Sequence, residues 1–281
     1  MERISSRQNA IVKRFRDLAR ARSAGGEARG DVASRGGHAA EVLLDGEHLV
    51  QEALACDIAV EVAAFSDKQL GDGRAGLSRI ARDVKERGGR VLTVSEPVLA
   101  AMSPVQQPSG VVAIGLARPA DVGVVMSAVS DLPLVLVLAG LQDPGNVGAT
   151  IRAAAAFGAS GVVAIDGSAN PFGWKALRGG MGGTFRIPIA RGTLPDVIAA
   201  AQAKQLRLVA AVPRGGTPLP QLDLRHPTAI VLGGEGAGID PATVSAVAET
   251  VSIPMHAPVE SLNVAVAAAV ILYEATRQRR G

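Results

Sequence analysis

Apolar positions along this chain fall first into a helical rhythm and then into short strand-like runs. Ile4, Ile11, Phe15 and Leu18 recur near helical spacing among basic residues, which predicts an amphipathic helix over Asn9–Arg22. Residues 23–37, rich in Gly, Ala and Arg, read as a flexible loop. Strands are then expected at Glu41–Leu44, Ala59–Phe65, Arg90–Val94 and Gly110–Leu116. Helical runs fit between them at Glu47–Ala55, Leu77–Glu86 and Glu96–Met102, giving a small α/β unit.

A second series begins after a stretch with Pro119 and Pro133 at its margins. Strand-like runs occur at Leu134–Ala139, Gly161–Ile165, Leu206–Val212, Ala229–Leu232 and Val251–Ile253. Helices fit at Val147–Phe157, Trp174–Met181 and Leu194–Lys204, and a last one from Ser261 to Arg277. Near-continuous Val, Ile and Leu in strands that alternate with helices argues for a parallel sheet covered on both faces. The expected organisation is an N-terminal unit over residues 1–117, a linker over 118–132 and a C-terminal α/β unit over 133–281. No repeat of solenoid period is visible.

Composition narrows the class. With 48% hydrophobic and 20% charged residues the chain can bury a sizeable core, and at 281 residues two domains is the better expectation. Aromatics at 2% leave that core to Val, Leu, Ile and Ala. The single cysteine, Cys56, excludes an internal disulfide and a cysteine-rich zinc site, and suits a reducing compartment. Met1–Arg7 leads into no apolar stretch, so no signal peptide is expected. The runs Leu132–Leu141 and Val264–Leu272 fall short of the roughly 20 residues that span a bilayer. These points together predict a cytoplasmic protein with no membrane partner.

The net charge is only +3, yet it is unevenly placed. Arg3, Arg7, Lys13, Arg14, Arg16, Arg20, Arg22, Arg29 and Arg35 face only Glu2, Asp17, Glu27 and Asp31 in the first forty positions. Such an arm fits a polyanion, with Arg7, Lys13, Arg14 and Arg16 as its candidate contacts. A solvated helix face with a loose tail accounts for the charge equally well.

Glycines and polar residues collect just beyond the carboxyl ends of the second series of strands, where open parallel sheets bind ligands. After the strand ending at Ala139 comes Asp143-Pro144-Gly145-Asn146-Val147-Gly148-Ala149-Thr150-Ile151-Arg152. This places Asn146 at a helix start, as a cap or a functional group, and Arg152 on the first turns, ready to meet a phosphate or carboxylate. After Leu232 comes Gly233-Gly234-Glu235-Gly236-Ala237-Gly238, which lets a ligand approach the backbone but matches neither the dinucleotide nor the Walker fingerprint. After Ile253 comes Pro254-Met255-His256-Ala257-Pro258-Val259-Glu260-Ser261-Leu262-Asn263. Ser261 can cap the last helix, and Asn263 one turn inside it lacks an obvious structural reason. His38, His48, His226 and His256 are scattered without zinc-like spacing, so no metal is expected.

In this order the three clusters resemble the SpoU (TrmH-type) class of the SPOUT methyltransferases. The signature runs Asn146-x-Gly148-x-x-x-Arg152, Gly233-Gly234-Glu235-Gly236-x-Gly238, and Ile253-Pro254-Met255 with Glu260-Ser261-Leu262-Asn263-Val264. Lys175–Pro188 also resembles a segment of that family, and the likeness covers about Leu134 to Arg277. Residues 4–116 resemble the substrate-recognition domain of such enzymes, itself similar to small RNA-binding ribosomal proteins. Gly234, and Gly179-Gly180, depart from the residues usual in the family.

The resemblance implies a trefoil-knotted C-terminal domain that uses S-adenosylmethionine to methylate a ribose 2′-hydroxyl, in a homodimer whose sites draw on both subunits. It assigns the cofactor to Gly233, Gly234, Gly238, Ile253, Met255 and Leu262. It assigns catalysis to Arg152, supported by Asn146, Glu235, Ser261 and Asn263. A guanidinium stays protonated below a pKa of about 12, so Arg152 is expected to orient a phosphate and stabilise the forming alkoxide. His256 is a less favoured proton acceptor. The separate N-terminal unit favours rRNA over tRNA as substrate. The competing readings are a non-catalytic RNA-binding protein on the same fold and a Rossmann-type enzyme, which the third position of the glycine turn argues against.

Overall fold

The computed structural model describes residues 1–20, 39–127, 132–234, 238–239, 243–244, 247 and 249–280. The expected loop over residues 23–37 lies outside the described residues, as does Glu235.

The N-terminal half runs β1 (Glu2–Ile4), α1 (Ala10–Arg20), β2 (Ala40–Asp45), α2 (Glu47–Ala55), β3 (Ala59–Ser66), α3 (Asp67–Gly71), α4 (Ala75–Glu86), β4 (Arg90–Val94), α5 (Glu96–Met102) and β5 (Val111–Ala117). Its mixed sheet has the order β1-β4-β3-β5-β2. Alternation along the strands sends Val42, Leu44 and Phe65 to one face, under α2 and α4, and Leu43, Val62 and Leu92 to the other, against α1 and α5. Ile4 was counted in the helical rhythm that precedes the predicted Asn9–Arg22 helix. It instead ends an edge strand that pairs Ile4 with Val94, and the buried helix positions are Val12 and Phe15.

The C-terminal half runs α6 (Val122–Met126), β6 (Leu134–Ala139), α7 (Pro144–Ala156), β7 (Gly161–Ile165), α8 (Trp174–Gly180), β8 (Ile189–Gly192), α9 (Leu194–Ala203), β9 (Arg207–Ala211), β10 (Thr217–Pro218), β11 (Thr228–Gly233), β12 (Glu249–Ser252) and α10 (Val264–Arg280). Seven strands form one sheet in the order β10-β12-β9-β11-β6-β7-β8, every pair parallel. All six residues of β6 are buried. Leu134, Leu136 and Leu138 meet α7 and α10, while Val135 and Val137 meet α6 and α9. A strand with helices on both faces has no solvent side, which explains its unbroken apolar sequence.

Features of the C-terminal half also depart from the sequence reading. The stretch 118–132 is more than a connector, because Val125 and Met126 of α6 are fully buried in the C-terminal core and Ala120 bridges to Ala190 of β8. The strand β8 was not expected at all, since Ile-Ala-Arg-Gly has no run of branched residues and is held as a strand by pairing with β7.

The two halves share apolar contacts. Leu177 of α8 is fully buried within the N-terminal core, with Phe172 and Phe185 packed beside it and Trp174 on the opposite face of the N-terminal sheet. Arg186 reaches back to pair with Glu52 of α2. At the far end of the molecule, Arg279 of α10 donates to the carbonyls of Leu224, Leu132 and His226, tying the last helix to the entry side of the sheet.

No helix among the described residues is long and apolar enough to cross a membrane. No cluster of potential metal ligands occurs among them.

Candidate active site

A cleft of about 560 Å³ opens beyond the carboxyl ends of β9, β11 and β12. Its walls include Leu232, Val251, Ile253, Leu262 and Ile271, and its mouth carries Arg214, Glu260 and Ser261. Gly233, Gly234, Gly238, Ile253, Met255 and Leu262, singled out from the sequence as one set, all line it. They come from two segments, one after β11 and one after β12, and only the parallel sheet sets these strand ends near each other.

Beyond β11, Gly238 donates its backbone N–H to the Gly234 carbonyl at 3.1 Å. Gly234, one of the departures from the family pattern, has a local reason. A methyl group added there would lie 2.3 Å from the Gly140 carbonyl oxygen, in the loop after β6, so no side chain fits.

Asn146 and Asn263 meet at this rim. Asn263 Nδ2 donates to Asn146 Oδ1 at 3.0 Å, and Asn263 sits between the cleft-lining Leu262 and Val264. The caps differ from expectation. The cap of α7 is Asp143, which accepts from the Asn146 N–H at 2.8 Å, so Asn146 stands in the first turn with its side chain left to other work. The cap of α10 is Asn263 and not Ser261: its Oδ1 accepts from the Ala265 N–H at 2.9 Å. Asn263 is therefore at the mouth of the helix and not one turn inside, and Ser261 is an exposed loop residue lining the cleft.

Gly148, the middle of the first motif, serves packing. A methyl group there would lie 2.2 Å from the Ala176 carbonyl oxygen, so α7 and α8 touch backbone to backbone. That contact holds the first turn of α7, and with it Asn146, against α8.

Arg152 does not reach the cleft within one chain. It lies exposed on a shallow groove between α7 and α10, with Ala149, Ala153, Val266, Val270 and Tyr273. No carboxylate pairs with it among the described residues. Glu235 lies outside the described residues. His256 is exposed in the loop before α10 and is not among the cleft-lining residues.

The basic arm divides in two. Arg14 is held by carboxylates on both sides, Glu41 at 2.6 Å and Glu61 at 2.7 Å, and these hydrogen bonds pull the Glu61 carboxyl below its usual range. A guanidinium so engaged is a poor phosphate contact, which counts against Arg14 as an RNA ligand. Arg16 is part-buried, and its Nε meets no acceptor among the described residues. Arg7 and Lys13 are exposed.

Sequence reasoning missed the β9 side of the cleft, Ala211–Arg214, and gave no role to Glu260, which it had quoted within the third motif. Arg214 and Glu260 pair at 2.9 Å, both largely exposed. The signal was present: Pro213-Arg214-Gly215-Gly216 is another glycine turn beyond a strand end.

Comparison with known proteins places the chain in a family. Residues 133–273 match the model of the SpoU rRNA methylase family, and residues 43–115 match that of an RNA 2′-O ribose methyltransferase substrate-binding domain. The chain belongs to the SpoU rRNA methylase family. It is 32% identical over 231 residues to a 23S rRNA (guanosine(2553)-2′-O)-methyltransferase of Bacillus subtilis, covering 82% of this chain and 86% of that protein. An AdoMet-bound rRNA methyltransferase from Sinorhizobium meliloti superposes with a TM-score of 0.82 at 27% identity, covering 98% of this chain and 97% of the other. The SpoU methyltransferase AviRb from Streptomyces viridochromogenes, solved in complex with AdoMet, superposes with a TM-score of 0.78 at 28% identity, over 98% of this chain and 99% of the other. Within the SpoU family the mixed N-terminal sheet is thus the substrate-binding part, and the seven-stranded parallel sheet the methylase part.

Proposed function

We propose that this chain transfers a methyl group from S-adenosylmethionine to a ribose 2′-hydroxyl of RNA, with rRNA favoured over tRNA as substrate. The observation that carries the reading is the Asn146–Asn263 hydrogen bond, at the rim of a cleft lined by all six residues expected to hold the cofactor.

The cleft suits that molecule. Leu232, Val251, Ile253, Leu262 and Ile271 offer apolar walls for an adenine face. The open backbone at the ends of β11 and β12 offers hydrogen bonds to its edge. Arg214 and Glu260 at the mouth present the two charges that an amino-acid tail would meet. When bound, S-adenosylmethionine would supply an electrophilic methyl group to the ribose hydroxyl and leave as the thioether S-adenosylhomocysteine, the hydroxyl proton passing to solvent. The residues of the chain then have two tasks, to place that hydroxyl and to stabilise the charge that develops on it. Asn146, Asn263, Ser261 and Glu235 serve the first, through amide, hydroxyl and carboxylate hydrogen bonds. Arg152 serves the second, orienting the phosphate beside the target ribose.

Arg152 needs a second copy of the chain to do so. Val266, Val270 and Tyr273 are 50%, 37% and 60% exposed on the α7–α10 face around it, large apolar side chains that a partner subunit would cover. A homodimer through this face would carry Arg152 toward the partner's cleft. Residues 1–117 hold the RNA, with Arg7 and Lys13 contributing phosphate contacts, and 118–132 lead into the methylating unit over 133–281.

The test is calorimetric titration of the purified chain with S-adenosylmethionine, followed by mass-spectrometric mapping of ribose methylation in total RNA with and without the gene. Micromolar binding together with one lost 2′-O-methyl group supports the reading. Absent binding, or unchanged methylation, refutes it.

A further inference from the structure

A second cleft, of about 740 Å³, lies on the seam between the two halves and is separate from the one just described. Asp45 and His48 line it from the N-terminal half, at the junction of β2 and α2. Trp174, Lys175, Arg178 and Met181 line it from α8 and the turn that ends it. The seam is therefore where the part matched as substrate-binding meets the part matched as methylase. It also abuts the methylating site. A methyl group added at Gly179, on its floor, would lie 3.1 Å from the carbonyl of Gly145, the residue before Asn146.

Its lining is unlike an ordinary domain joint. Trp174 is the sole tryptophan of the chain, and the Lys175 ammonium lies 5.5 Å from its ring centroid. Met181 is 43% exposed and caps the end of α8 with a left-handed backbone at φ 48°, which turns its side chain out of the helix. Asp45 is a buried carboxylate facing the same space, with Ser103 Oγ donating to its Oδ1 at 2.8 Å. Burial pushes its carboxyl up, against the Ser103 hydrogen bond and the nearby Arg178 charge. Apolar ring and thioether surface, a buried acceptor at Asp45, a second carboxylate at Glu47 and two exposed cations suit one ligand class. A nucleotide presents a flat base, N–H donors on its edge and a phosphate.

We propose that the seam cleft receives one unstacked nucleotide of the RNA, its base against Trp174 and Met181, a base N–H to Asp45 and its phosphate to Lys175 and Arg178. Seating that nucleotide beside the first turn of α7 sets which ribose reaches Asn146. The inference rests on the methyl-transfer reading and adds a selecting site to it.

Because Trp174 is the chain's only tryptophan, all tryptophan emission comes from the wall of this cleft. The experiment titrates the full-length chain with a single-stranded mixed-sequence RNA decamer, reading Trp174 emission and, in parallel, the anisotropy of a labelled decamer. Saturable change in emission is expected at the concentration where anisotropy rises. The double substitution Lys175→Ala with Arg178→Ala should raise the decamer Kd on the order of tenfold or more, the loss of two charge-assisted contacts. Both side chains are exposed, and a thermal melt checks that the variant is folded. Affinity for S-adenosylmethionine should be unchanged. Decamer bound with Trp174 emission unmoved, a variant Kd within about twofold of the parent, or no decamer binding at all overturns the seam site. Loss of S-adenosylmethionine binding by the parent chain would instead strike the methyl-transfer reading.

Discussion

Asn263 donates from its Nδ2 to Asn146 Oδ1 across 3.0 Å, joining side chains 117 positions apart. The same Asn263 caps α10 through its Oδ1, so one side chain starts the last helix and ties it to the first turn of α7. Cap and tie can be separated. Asn263→Ala should lose about 1 kcal/mol of stability from the cap and most of the methyl transfer. Asn263→Ser caps as well as asparagine but is too short to span to Asn146. It should recover the melting temperature and not the turnover. Recovery of both by serine would assign Asn263 a purely structural role.

Arg152→Ala should keep the affinity for S-adenosylmethionine and lose turnover, because Arg152 lies outside the cleft proposed for the cofactor in its own chain. Mixing Arg152→Ala subunits with Asn146→Ala subunits should restore part of the activity, since one site of each mixed pair then has both groups. A mixture as inactive as its parts would place both residues in one chain's site.

Gly148→Ala should destabilise the fold by about 1–3 kcal/mol, the usual cost of forcing a methyl into a filled space, because its nearest neighbour is the Ala176 carbonyl at 2.2 Å. Gly123→Ala, with nothing near the added methyl, is the control. Paired chemical-denaturation curves decide it: equal midpoints would mean that α7 and α8 can move apart freely.

The Arg14 clamp has a pH signature. Hydrogen bonds from Arg14 hold the Glu61 carboxyl below its ordinary value of 4.5 in the folded chain. A depressed folded pKa contributes stability that is present above the ordinary value and lost as pH falls through the depressed one. Arg14→Ala should therefore lower the melting temperature at neutral pH, and the gap from the parent should close in acid. The same variant should leave the salt dependence of RNA binding nearly unchanged, whereas Arg7→Ala with Lys13→Ala should flatten it. A flattened slope for Arg14→Ala alone would return that residue to the interface.

Much of the site was readable before folding was considered. Glycines, amides and a serine collected after three apolar runs because parallel strands end in loops where a ligand can meet free backbone. The same logic covered Pro213-Arg214-Gly215-Gly216, whose charge and glycines stood in view but carried no motif. Caps were less readable. Asp143, Asn146, Ser261 and Asn263 are all capping residue types, and which one takes the role depends on where the preceding chain turns, a matter of a few residues.

Periodicity alone determined the all-parallel character of the C-terminal sheet, its double-sided burial and most of the helices, since burial on both faces leaves a continuous apolar run and burial on one leaves a stripe. Pairing decided β1 and β8, short edge strands whose own residues carry little strand preference and whose hydrogen bonds come from neighbours. Tertiary structure alone decided three further things: that α6 packs as core, that Arg14 is neutralised by two glutamates, and that Arg152 faces away from the cleft that Asn146 borders. Each depends on what stands opposite a residue in space, and a linear pattern records only what precedes and follows it.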